Sequence, residues 1–178
     1  MTDYPEMPQT ILRFGVAYLV IFLLFFVNVQ GPSLLSASGL GAPLFLMAVY
    51  YWSAYRPTLV PLWFVFFMGL LLDLLSGAPI GLNALVLVMV RWLVTDQRLF
   101  LTGQPFLIVW IGFFLVSVAT ILCQWFLMGA LNLFWPPVQQ AGIMIGLGAA
   151  LFPVVSILLH ATHTVLPERP GGNRRKKR

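Results

Sequence analysis

The stretch FFMGLLLDLLSGAPIGLNAL, Phe66–Leu85, sets the terms for the whole chain. It is almost entirely apolar, yet it holds one carboxylate, Asp73. Glycines are spaced around that acid by fours: Gly69, Gly77 and Gly81. An isolated charge in lipid is costly, about 2.5–3.5 kcal/mol at a helix centre on insertion scales. The acid therefore needs either partners close by or a task.

Working outward, the rest of the chain has the same solvent problem. Of its 178 residues, 60% are hydrophobic and 8% are charged, and the mean hydropathy is +0.94. Soluble domains carry roughly a quarter charged residues, so lipid is the solvent that this composition demands. One polytopic membrane domain over residues 1–166, followed by a basic cytoplasmic tail at 167–178, is the expected organisation. No small-residue cleavage site follows the first apolar run, so no removed signal peptide is expected. The single cysteine, Cys123, has no partner for an intrachain disulfide and reads as a small buried hydrophobe.

A spanning helix needs roughly 17–25 mostly apolar residues. Candidates fall at 11–28, 44–54, 58–75, 80–94, 105–131 and 141–165. The second is short and reads as a span extended back through Pro43, or as a re-entrant segment. QGPSLLSASGLGAP, TDQRLFLTGQP and NLFWPPVQQ read as breaks or loops. No strand-like alternation suggests a barrel. The fold class is thus all-α, with about six transmembrane helices. Six spans place Arg13, Arg56, Arg91, Arg98 and the tail cluster on one side and leave the opposite loops without a basic residue. The positive-inside rule then puts both termini in the cytoplasm. Trp52, Tyr55, Trp92 and Trp135 suit an interfacial belt, and the tail suits an anionic leaflet rather than nucleic acid.

Asp73 falls near the end of the third span, just before Ser76, Gly77 and Pro79, which are turn residues. From there its oxygens can accept the free N–H groups that open the next helix, with Asn83 as a further donor. Gly69, Gly77 and Gly81 allow close backbone approach. The alternative is a site that meets a partner or carries a proton. Elsewhere, Gly142, Gly146 and Ala150 form a small-residue face for helix packing, inside the fold or against another protein. Ser117, Thr120 and Gln124 share an inward face, and Pro153 predicts a kink. His160 and His163 lie one turn apart without further metal ligands, so no cofactor or metal is expected. No catalytic constellation is visible, and the chain does not read as an enzyme.

The run Gly69-x3-Asp73-x3-Gly77-x3-Gly81-x2-Ala84-Leu85, preceded by Pro43 and YYWSAYRP, closely resembles the signature of the MreD family of rod shape-determining membrane proteins. The resemblance implies a non-catalytic inner-membrane scaffold of the elongation machinery that builds lateral-wall peptidoglycan. Its implied direct partner is MreC. Through MreC it would work with MreB, RodA, a partner transpeptidase (a penicillin-binding protein) and RodZ. It also implies a fold similar to the substrate-binding subunits of energy-coupling-factor transporters. That similarity supplies a second reading, a vitamin-type substrate-binding subunit. Such a subunit needs an outward pocket with converging polar groups, and the uncharged outer loops favour the scaffold.

Overall fold

The computed structural model describes residues 7–35, 42–132 and 137–165, with side chains described at 15–30, 42–130 and 137–162. The basic tail, Trp135 and the side chains of Arg13 and His163 lie outside the described residues. Every regular element among them is a helix: α1 (Met7–Leu35), α2 (Leu44–Tyr55), α3 (Leu62–Ser76), α4 (Leu82–Asp96), α5 (Arg98–Thr102), α6 (Phe106–Asn132) and α7 (Val138–Val165). The expected TDQRLFLTGQP loop thus contains the short helix α5. Helix α1 does not break at Gly31 and Pro32 but continues to Leu35.

Among the described residues, two helices are long and apolar enough to cross a membrane, over Phe106–Ala130 and Val138–Thr162. Only 28% of each window is buried within the chain. The remaining surface is apolar: Phe67, Leu74, Leu115, Phe126, Val154 and Ile157 are all at least 60% exposed. A perimeter of this kind suits acyl chains, because a soluble monomer rarely exposes large contiguous apolar patches.

Helix α2 is the hub. Its twelve residues include ten that are buried, Phe45 through Ala54. It therefore reads as apolar all round because neighbours surround it. Trp52 is part of this core and fully buried, which corrects the expectation of an interfacial tryptophan there. Phe113 and Phe152 stack at 4.2 Å between α6 and α7, and Tyr50 meets both edge-on. Tyr50 also donates its hydroxyl to the Val109 carbonyl at 3.0 Å. At about 1.5 Å per residue, α2 is some 18 Å long, roughly 12 Å shorter than a bilayer core.

Cys123 is exposed, against expectation. Ser117, Thr120 and Ile121 hold the inward stripe of α6, and position 123 falls outside that stripe at helical spacing.

Pro153 lies inside α7. A proline has no N–H, so the carbonyl four residues earlier loses its helical partner. That carbonyl belongs to Ala149, and the Trp110 indole donates to it at 2.9 Å from α6. Trp110→Phe keeps the ring and removes the donor. Thermal unfolding in detergent is expected to show a loss of about 1–3 kcal/mol for the stranded carbonyl. An unchanged midpoint would show that water replaces the indole.

Arg91 binds the α2–α3 connection. It donates from Nε to the Val60 carbonyl at 2.7 Å and from Nη2 to the Pro57 carbonyl at 3.1 Å, and it also contacts the Thr95 hydroxyl. Arg56, Arg91 and Arg98 thus share one end of the bundle. The α3–α4 turn occupies the other.

Candidate functional site: the Asp73 hairpin

Helices α3 and α4 pack along their lengths, and Gly69 sets how near they come. A Cβ at position 69 would fall 2.8 Å from the Ala84 backbone nitrogen and overlap its Cα. Only glycine permits this approach. It brings the last turn of α3 beside the first turn of α4.

Asp73 then serves both helix ends. Its backbone carbonyl accepts from Gly77 N–H and, at 3.2 Å, from Ala78 N–H, which closes α3 in the six-to-one pattern of a Schellman stop. Its side chain turns to α4. Oδ2 accepts Gly81 N–H at 2.9 Å. Oδ1 accepts Asn83 N–H at 2.9 Å and Asn83 Nδ2 at 2.8 Å. Three donors therefore meet one carboxylate that is fully buried. No side chain of the N-cap residue, Gly81, does this work. The cap is supplied from the preceding helix, where the positive end of α4 favours an anion.

The intervening turn needs its glycines. Gly77 has φ +68° and Gly81 has φ +95°, both in the left-handed region, which side chains with a Cβ rarely adopt. All five residues singled out here in the sequence, Gly69, Asp73, Gly77, Gly81 and Asn83, are thus brought into one hairpin. Sequence reasoning missed a sixth. Gln124 donates from Nε2 to Asn83 Oδ1 at 2.7 Å, which ties the hairpin to α6. Its only signal was an inward-facing amide in an apolar helix.

The second group is not brought to an interior contact. Gly142, Gly146 and Ala150 are exposed, and nothing lies within 4 Å of a Cβ built on either glycine. The expectation of packing inside the fold is corrected. A glycine of α7 that does face the interior is Gly148, whose added Cβ would lie 3.2 Å from Pro43 Cγ and 3.5 Å from Ser117 Oγ. Four-residue spacing picks out a smooth stripe but leaves open which way the stripe faces.

His160 Nδ1 lies 3.4 Å from the Tyr51 hydroxyl, so it takes part in the contact between α2 and α7.

No curated protein and no solved structure is matched by this chain. A family model is matched over residues 9–162 of 178, that of the rod shape-determining protein MreD. The match runs from α1 to α7 and takes in the whole Asp73 hairpin, so the chain belongs to the MreD family of rod shape-determining membrane proteins.

Proposed function

We propose that this protein is a non-catalytic scaffold of the bacterial elongation complex. It binds MreC in the cytoplasmic membrane and supports lateral-wall peptidoglycan synthesis. MreB, RodA, its partner transpeptidase and RodZ are engaged indirectly. Helices α1 to α4, α6 and α7 serve as six spans, as in the substrate-binding subunits of energy-coupling-factor transporters. Both termini are cytoplasmic, and the tail at 167–178 lies against the anionic leaflet. The positive-inside rule supports this orientation, since Arg56, Arg91 and Arg98 share one end.

The observation that carries the scaffold reading is the open face of α7. Gly142, Gly146 and Ala150 are exposed, and small residues let a second helix approach a backbone closely in lipid.

Co-purification with MreC tests this. Wild-type chain is expected to recover MreC stoichiometrically from detergent. Gly146→Leu should accumulate normally, because its side chain enters open space, yet lose MreC through about 1–3 kcal/mol of overpacking at the interface. Leu147→Ala should be milder. Wild-type chain without MreC would reject the scaffold, and equal recovery by both variants would turn the α7 face to lipid.

A further inference from the structure

The shortness of α2 leaves a space at the end of the bundle away from the arginines. Beyond its first turn lies a cavity of about 610 Å³, within the range of about 300–1,000 Å³ typical of small-molecule sites. Its walls come from α1, α2, the α3–α4 hairpin, α6 and α7. Leu75 and Ser76 belong both to this wall and to the exposed perimeter, so the cavity reaches the outer surface of the bundle.

The lining chemistry narrows the occupant. No charged side chain contributes to it among the described residues. Asp73 is sealed behind Asn83, with its oxygens already occupied. An anion would find no cation here and a cation no free carboxylate, and burying an unpaired charge is costly. The polar groups are neutral, and the carboxamides of Gln124 and Asn28 have unused capacity. Asp73 takes the Asn83 amide N–H, which turns the Asn83 carbonyl to Gln124 and fixes the Gln124 amide as donor. Gln124 Oε1 is left without a partner among the described residues. On the far wall, Asn28 Oδ1 accepts Phe45 N–H at 3.2 Å. Its Nδ2 is likewise left without one. The cavity thus offers a carboxamide acceptor and donor in a largely apolar chamber, with Met128 and Met144 as adaptable packing.

We infer that this cavity binds an uncharged amphiphile from the bilayer, with a hydroxyl- and carbonyl-bearing end held by Gln124 and Asn28 and an apolar body packed below it. The inference goes beyond the scaffold reading and does not require MreC.

The test uses the full chain in nanodiscs with two photoactivatable probes. One is a monooleoylglycerol with a diazirine in its acyl chain. The other has the same chain on an anionic phosphoglycerol head. The neutral probe should label the α6 and α7 peptides that carry Met128 and Met144 at up to one per chain. The anionic probe should label them about tenfold less, a difference near 1.4 kcal/mol. Met144→Trp and Val29→Trp fill the cavity from two different helices. Each should cut that labelling by about the same factor while labelling at the lipid-exposed Ile157 stays constant. Equal labelling by both heads, no labelling of those peptides, or labelling indifferent to the tryptophans would overturn the proposal. If one variant fails to accumulate, the other decides. If both fail, the comparison of heads on the wild-type chain decides.

Discussion

Asp73→Ala is expected to remove most of the protein from the membrane. The substitution strands three donors, Gly81 N–H, Asn83 N–H and Asn83 Nδ2, in a fully buried site. Each stranded buried donor costs about 1–3 kcal/mol. The sum is comparable with a typical total stability of about 5–15 kcal/mol. Asp73→Asn keeps an acceptor and should be tolerated better than alanine. It is still costly, because both carboxylate oxygens accept. An asparagine that keeps Oδ1 toward Asn83 must aim its NH2 group at Gly81 N–H, donor against donor. The expected order of membrane abundance is wild type, then Asn, then Ala. Immunoblots of membrane fractions, read beside MreC recovery and cell shape, check it. Normal abundance of the alanine variant would reject the hairpin clamp. Normal abundance and MreC recovery with lost rod shape in the asparagine variant would assign Asp73 a charge- or proton-dependent task instead.

Gly69→Ala should be nearly as damaging despite adding one methyl group. That methyl would sit 2.8 Å from Ala84 N and overlap Ala84 Cα. The obstacle is backbone, which cannot rotate away as a side chain can. Helices α3 and α4 must separate, and the separation pulls Asp73 from its donors. The cost should therefore reach or exceed the upper end of the usual 1–3 kcal/mol or so for overpacking. Gly142→Ala is the internal control, since open space surrounds it. A Gly69→Ala protein with the thermal stability of Gly142→Ala would show that the two helices are held apart by other contacts.

Much of the hairpin was legible because an acid in an apolar run is a strong anomaly with few physical solutions. The donors that solve it lie within ten residues, and glycine and proline announce the turn. The main helix positions were legible for the same reason, being local runs of one chemistry. The cavity was not. It arises because α2 is short where its neighbours are long, and its polar groups come from Asn28 and Gln124, far apart in the chain. Gln124 and Trp110 each satisfy a group on another helix, a pairing that no local pattern encodes. The freed Ala149 carbonyl could be inferred from Pro153, but its indole partner could not. Exposure was the weakest inference. Trp52 and Cys123 were each assigned by residue type, and each lies where the packing of its helix puts it.

The bonds of Asp73 also have an order in time. Its donors are eight and ten positions ahead in the chain, whereas Gln124 joins Asn83 across 41. During synthesis the acid is consequently shielded once the first turn of α4 has left the ribosome, well before α6 exists. Contacts this close in sequence close quickly, because little chain entropy is lost in forming them. A hairpin of this kind can partition into the bilayer as a single unit that presents no bare carboxylate to lipid, and later helices then assemble on a pair whose acid is already hydrogen-bonded by the hairpin's own donors.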